Sequence, residues 1–330
     1  MSDLRATAAA LTARGRGILA ADESIRTMSA RLEAAGVAGT EDNRRDYREM
    51  LITTPGLATV VSGVILSDET FGQRLRDGRD VPTACRELGL LPGIKVDTGT
   101  SPLPSGNGAL VTEGLDGLGA RLADYAERGA AFAKWRAVID ARTTTPYARQ
   151  ENAAALARYA ALCQQHGIVP IVEPEVLADG DHDLVTCAKT TSETLSAVFD
   201  ALAAAGVDLG AIVLKPNFVT PGLRGTPVAS RTVGAVTFDV LRRTVPDAVP
   251  GIAFLSGGHS NERACAFLSA INAIGRAPWA LTFSFGRALV SDALQAWRGD
   301  DANVPLAQQV LLANCERAAR ATEAALTVAS

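Results

Sequence analysis

Along the chain, short runs of Val, Ile, Leu and Phe alternate with longer stretches whose apolar residues recur at helical spacing. Each short run is bounded by Gly, Pro or polar residues, as strands are. Eight can be read: GILAAD (17–22), VVSGVIL (60–66), LPGIKVD (91–97), FAKWRAVI (132–139), IVPIVEPEV (168–176), GAIVLKPNFV (210–219), GIAFLSGG (251–258) and WALTFSFGRAL (279–289). The connectors read as helices. Gln150-Glu151-Asn152 opens one in which Leu156, Tyr159, Ala160 and Cys163 fall at helical spacing, with Gly167 as its stop. The stretch 191–205 repeats the pattern and stops at Gly206, and Ser260 can cap a helix beginning Asn261-Glu262-Arg263. Eight strands alternating with helices is the count of a (β/α)8 barrel. A doubly wound sheet is the alternative, but no Gly-x-Gly-x-x-Gly motif follows an early strand.

A barrel predicts where chemistry sits: at the C-terminal ends of the strands, on inward-facing positions that recur every second residue. The polar residues of this chain fall there. The first strand ends in Asp22-Glu23-Ser24, and the third carries Lys95 and Asp97. The fourth carries Lys134 and Arg136, the fifth Glu173 and Glu175, and the sixth Lys215 and Asn217, each pair on one face. The seventh ends in Ser256-Gly257-Gly258 and the eighth in Ser284-Phe285-Gly286-Arg287. A lone strand-end lysine such as Lys215 ordinarily reaches out to water. A lysine desolvated among other charges can instead act as a neutral amine, a nucleophile toward a ketone. A Glu-x-Glu pair ordinarily marks a solvated face, but a parallel strand covered on both sides has none. Buried ion pairs are costly, so charged groups converging from most strands point to function.

Composition narrows the picture. The 330 residues are 47% hydrophobic and 21% charged, ample for one large core, and the net charge of −4 gives no basic surface for nucleic acid or anionic membrane. One barrel domain over residues 1–330, with a short N-terminal helix and a C-terminal helical tail, is expected. No apolar run approaches the roughly 18 residues of a spanning helix. The opening MSDLRATAAALTARGRG is Ala/Arg-rich and acid-poor, as transit peptides are, but a strand follows at Gly17, so a leading helix is the reading. Five scattered cysteines without a Cys-x-x-Cys pair read as free thiols of a reducing compartment. Three histidines, none in a zinc spacing, leave no His-rich metal site.

The segments GRGILAADES, SGVILSDET, PGIKVDTG, FAKWRAVI, VPIVEPEVL, IVLKPNFVTPG, AFLSGGHS and LTFSFGRAL span Gly15 to Leu289. In their order and intervals the sequence resembles class I fructose-1,6-bisphosphate aldolase, the metal-independent Schiff-base enzyme of glycolysis and gluconeogenesis. The resemblance implies a cytoplasmic TIM barrel without cofactor, assembled as a homotetramer and acting on a phosphorylated ketose. It implies Lys215 as the Schiff-base lysine, Asp22 as the carboxylate beside it and Lys134 as a second catalytic lysine. Glu173 becomes the principal proton-transfer group, and Glu175 the partner that tunes the charge of the lysines. Ser24, Lys95 and Arg136 become ligands of the C6 phosphate, and Ser256, Gly257, Gly286 and Arg287 the C1-phosphate site.

The chemistry such an enzyme performs needs these residue types. Breaking the C3–C4 bond of a ketose leaves a carbanion at C3, and an iminium at C2 is the electron sink that stabilises it. Lys215 must start as the free amine, which burial and the like charge of Lys134 favour. Glu173 moves protons as the carbinolamine forms and dehydrates, and either Asp22 or Glu173 takes the C4 hydroxyl proton. Glycines at 257 and 258, before a helix starting near Ser260, offer backbone N–H groups to a phosphate, and Arg287 adds a forked contact. Two departures from the family pattern stand out. Ile25-Arg26-Thr27 replaces a small Gly/Ser-type stretch, and no tyrosine follows Tyr159, the chain ending Thr327-Val328-Ala329-Ser330. The missing tyrosine leads us to expect a small effect of removing the last residues. Another Schiff-base barrel lyase, or an inactive relative serving as a scaffold, are the alternatives; the two cationic ends and the retained charges weigh against them.

Overall fold

The computed structural model describes residues 3–323. Ten strands are formed: β1 Gly17–Ala21, β2 Val61–Leu66, β3 Leu91–Lys95, β4 Gly99–Pro102, β5 Leu110–Glu113, β6 Phe132–Ile139, β7 Val169–Val176, β8 Val213–Leu214, β9 Gly251–Phe254 and β10 Ala280–Phe285. Eight of them are parallel and close into a barrel in the order β1-β10-β9-β8-β7-β6-β3-β2. β4 and β5 form a separate antiparallel hairpin between β3 and β6 in sequence. The sequence pattern does not predict this hairpin. The expected barrel is otherwise the one observed.

The pleat divides each barrel strand between two cores. Ile18, Ala20, Ile65, Phe132, Val169, Ile171, Val213 and Ala253 form the interior cluster. Leu19, Ala21, Ala133, Trp135, Ala137, Val172, Leu214 and their like belong to the larger layer shared with the helices. The leading helix Leu4–Leu11, expected from the sequence, adds Ala8 and Leu11 to the interior cluster and so plugs the N-terminal end of the barrel. Two glycines make room there. Gly93 pairs in register with Phe132, and a Cβ on Gly93 would lie 2.2 Å from that ring; one on Gly63 would lie 2.9 Å from it. The phenyl ring fills the space these residues leave.

Several predicted boundaries are corrected. The run 210–219 holds only the two-residue β8. Residues Leu209–Ala211 form a 3-10 turn capped by Asp208, and Pro216 has no N–H with which to extend a ladder. The run 279–289 ends as a strand at Phe285, because Gly286 turns the backbone (φ −106°, ψ −97°) into the helix Arg287–Trp297. Asp22, Asp97 and Ser256 likewise lie just past their strands rather than in them. The helix expected to open at Gln150 starts at Pro146 under a Thr145 cap, and the one expected over 191–205 is Leu184–Ala204, capped by Asp183. Among the described residues no helix is long and apolar enough to cross a membrane. Residues 327–330, to which the expectation about the chain end applies, lie outside the described part of the chain.

Candidate functional site

Above the apolar interior layer, the next inward positions are charged. Ile18 and Ala20 lead to Asp22, Phe132 to Lys134 and Arg136, Ile171 to Glu173 and Glu175, and Val213 to Lys215. Period-two alternation thus lifts these side chains into a cavity of about 670 Å³ at the C-terminal mouth. All twelve residues predicted for the site line it: Asp22, Ser24, Lys95, Lys134, Arg136, Glu173, Glu175, Lys215, Ser256, Gly257, Gly286 and Arg287.

Lys134 is the hub. Its ammonium lies 2.7 Å from Asp22, 3.4 Å from Glu173 and 3.8 Å from Asp97. Burial alone would strip its proton, but the charges of Asp22, Glu173 and Asp97 outweigh that and raise its pKa above the ordinary lysine range. Burial would also push the Asp22 carboxyl up, yet the charges of Lys134 and Lys215 and a hydrogen bond from Lys134 hold it well below the usual carboxylate range. Lys215, 3% exposed, meets one carboxylate: its Nζ is 3.1 Å from Glu173 Oε1. The other oxygen of Glu173 faces Lys134 without a hydrogen bond and is buried. One carboxylate therefore bridges two lysines, with one buried oxygen left without a hydrogen bond.

The cations at the mouth are held individually. Lys95 pairs with Asp97 at 2.9 Å and donates to the Asp97 carbonyl at 3.0 Å. Arg136 is bound through Nε to Glu175. Burial would lower its pKa, but Glu175 and Glu173 raise it, so it stays a cation. Glu175, expected to tune the charge of the lysines, lies one pleat higher than Glu173 and pairs directly with Arg136. Ser24 lines the cavity, but its hydroxyl is engaged in capping the helix Ile25–Ala34, accepting from the Thr27 N–H at 3.3 Å. Across the mouth, Gly257 (φ +57°) and Gly258 (φ +83°) are both left-handed, which lets the loop after β9 turn its backbone toward the cavity. Gly286 sits at the N-terminus of the helix that starts with Arg287.

Arg31 and the hairpin residues Gly99, Thr100 and Leu110 also line the cavity and were not foreseen. Arg31 is bound to Glu23, which is held in turn by buried Arg48 at 2.7 Å. Its position could have been read: Ser24, Thr27 and Arg31 fall at helical spacing once Ser24 is recognised as a cap.

An α/β barrel whose mouth gathers two buried lysines, a carboxylate bridging them and further cations has an amine for carbonyl chemistry and positive charge for an anionic substrate. The comparisons with known proteins say which family this is. A family model described as fructose-bisphosphate aldolase class-I matches residues 3–329. The chain is 48% identical over 323 residues to cytosolic fructose-bisphosphate aldolase 6 of Arabidopsis thaliana, covering 97% of this chain and 90% of the relative. It is 50% identical over 316 residues to the fructose-bisphosphate aldolase of Schistosoma mansoni, covering 94% and 87%. A solved structure of the Plasmodium falciparum fructose-bisphosphate aldolase, a ternary complex with TRAP and a small-molecule inhibitor, superposes with a TM-score of 0.95 at 45% identity, over 98% of this chain and 95% of that one. The chain belongs to the class I fructose-bisphosphate aldolase family, and its reaction is the reversible cleavage of fructose 1,6-bisphosphate to dihydroxyacetone phosphate and glyceraldehyde 3-phosphate.

Proposed function

We propose that cleavage runs through an imine on Lys215, with Glu173 as the group that moves protons to and from it. The observation that carries this is the charge balance of the ionic groups at the barrel mouth. Lys95, Lys134, Arg136 and Lys215 stand against Asp22, Asp97, Glu173 and Glu175, four cations against four anions. Moving one proton across the 3.1 Å from Lys215 to Glu173 leaves a neutral amine and a neutral acid. The remaining three cations and three anions still cancel, so no charge is left buried alone. Lys134 offers no such step, because three carboxylates hold its proton.

The free amine of Lys215 attacks the C2 ketone, and protonated Glu173 supplies the proton with which the carbinolamine loses water. The iminium draws in the electron pair of the C3–C4 bond as the C4 hydroxyl gives its proton to Asp22 or Glu173. Glyceraldehyde 3-phosphate departs. The enamine takes a proton at C3, and water releases dihydroxyacetone phosphate and returns the amine. Lys134 remains an ammonium throughout, holding Asp22 and Glu173 in place and compensating their charge. Lys95 and Arg136 take the C6 phosphate, with Ser24 supporting them and Glu175 orienting the guanidinium. Ser256, Gly257, Gly286 and Arg287 take the C1 phosphate with backbone N–H groups and a forked cation. Family membership supports a homotetramer, and the cytosolic names of the relatives support a cytoplasmic enzyme, one that needs no metal or organic cofactor.

A coupled cleavage assay with fructose 1,6-bisphosphate in the presence of EDTA tests this reading. The wild-type chain should cleave, and Lys215→Ala should not. Activity that EDTA abolishes and Zn²⁺ restores, or that survives Lys215→Ala, would contradict it.

A further inference from the structure

We infer that Asn217 is a positioning residue: its side-chain amide closes the seam between β7 and the Lys215 segment and thereby sets the distance between Lys215 and Glu173. The inference rests on the imine reading above. Both sides of that seam carry a proline beside the reacting residue, Pro174 after Glu173 and Pro216 after Lys215. Neither proline can donate to a ladder. The β7–β8 pairing covers only Ile171↔Val213 and Val172↔Leu214, with one further bond, 2.8 Å from the Lys215 N–H to the Val172 carbonyl. The next main-chain bonds between the two segments come only at Ala178, Gly180 and His182, whose carbonyls accept from Leu223, Arg224 and Gly222, so the stretch that presents Glu173, Glu175 and Lys215 needs a link of its own.

Asn217 supplies one. It is 4% exposed, and its Oδ1 accepts from the Val176 N–H at 3.1 Å, the residue directly after Glu175. Its Nδ2 donates to the Phe218 carbonyl at 3.0 Å and to the Thr191 hydroxyl at 3.3 Å, with Cys187 Sγ at 3.8 Å. Thr191 and Cys187 lie on the helix Leu184–Ala204 behind β7. The amide thus ties three elements together: the end of β7, the segment carrying Lys215, and the helix behind them. On the other flank Pro216 is fixed as well, its carbonyl accepting from the Leu255 N–H at 3.0 Å. Lys215 is therefore clamped from both sides by its two successors in the chain. Apart from Lys215 itself, which reaches Glu173, no other described side chain of this segment is hydrogen-bonded to the end of β7. Asn217 does not line the substrate cavity, so its effect must pass through Lys215 and Glu173.

The test compares Asn217→Ala, which removes both links, with Asn217→Asp, which keeps an acceptor for Val176. The readouts are kcat, KM for fructose 1,6-bisphosphate, the rate of borohydride-trappable imine formation with dihydroxyacetone phosphate, and thermal stability. A displacement of about 1 Å in a reacting pair costs on the order of 100-fold. Asn217→Ala should accordingly lower kcat and the imine-formation rate together by roughly 10- to 100-fold, with KM little changed. Asn217→Asp should recover most of both rates. If Asn217→Ala does not fold, Asn217→Ser replaces it, since its hydroxyl is too short to reach Val176. Wild-type kcat and imine rate in the folded Ala or Ser variant, whatever its melting temperature, would overturn the inference. So would equal losses in the Ala (or Ser) and Asp variants. If the wild-type protein itself traps no ligand, the imine reading fails instead, which keeps the two failures apart.

Discussion

Glu173 and Glu175 stand two residues apart on one face of β7, yet they serve different partners: Glu173 bridges Lys134 and Lys215, and Glu175 holds Arg136. In the proposed mechanism the one-pleat offset separates a proton-moving layer from a phosphate-facing layer above it. Arg136 belongs to the upper layer, so its loss should matter only where there is a C6 phosphate to bind. A charge-assisted hydrogen bond contributes roughly 1.5–3 kcal/mol, or about 10- to 150-fold in kcat/KM. Arg136→Ala should lose that much on fructose 1,6-bisphosphate and little on fructose 1-phosphate. Equal losses on both substrates would make Arg136 a structural or general catalytic residue. At this scale the sequence revealed which residues face inward, because period-two spacing fixes the face of a strand side chain. It did not reveal the pairings. Whether Glu175 meets a lysine or an arginine depends on the stagger of neighbouring strands, here Arg136 in register with Glu173 rather than Glu175.

The elements show where pattern reading succeeds and where it stops. Apolar runs located all eight barrel strands, since each strand buries both faces and its composition reflects that. The same runs overshot at 210–219 and 279–289, because apolarity continues past the points where Pro216 and Gly286 end the ladder. The β4–β5 hairpin was invisible for the opposite reason: Gly99-Thr100-Ser101-Pro102 has no buried face and reads as a turn. One element-level prediction concerns the barrel floor. Gly93 lies outside the left-handed region, so the barrier to a side chain there is the Phe132 ring, 2.2 Å from where its Cβ would sit. Gly93→Ala should destabilise the fold by at least the ~1–3 kcal/mol typical of overpacking. Adding Phe132→Leu should recover part of that loss. Urea unfolding of the single and double variants checks it; additive losses would mean the ring is not the obstacle.

For the molecule as a whole, the barrel does two things for the site. It raises side chains from the ends of β1, β3, β6, β7 and β8 into one mouth, so cations and anions far apart in sequence meet as a balanced cluster. It also leaves the chain-specific features outside the reacting layer. Ile25-Arg26-Thr27 lies on the rim, in the first turn of the helix capped by Ser24, and takes no part in the Asp22–Lys134–Glu173–Lys215 contacts. Arg31, one turn further along that helix, reaches the cavity and adds a cation to the same side as Ser24.

Lys215, not Lys134, is the proposed nucleophile, because Lys134 is locked as an ammonium by three carboxylates while Lys215 shares one. Borohydride reduction in the presence of dihydroxyacetone phosphate, followed by peptide mass mapping, tests it most directly. A single adduct on Lys215 should form in step with the loss of activity. An adduct on Lys134, or inactivation without any adduct on Lys215, would contradict it.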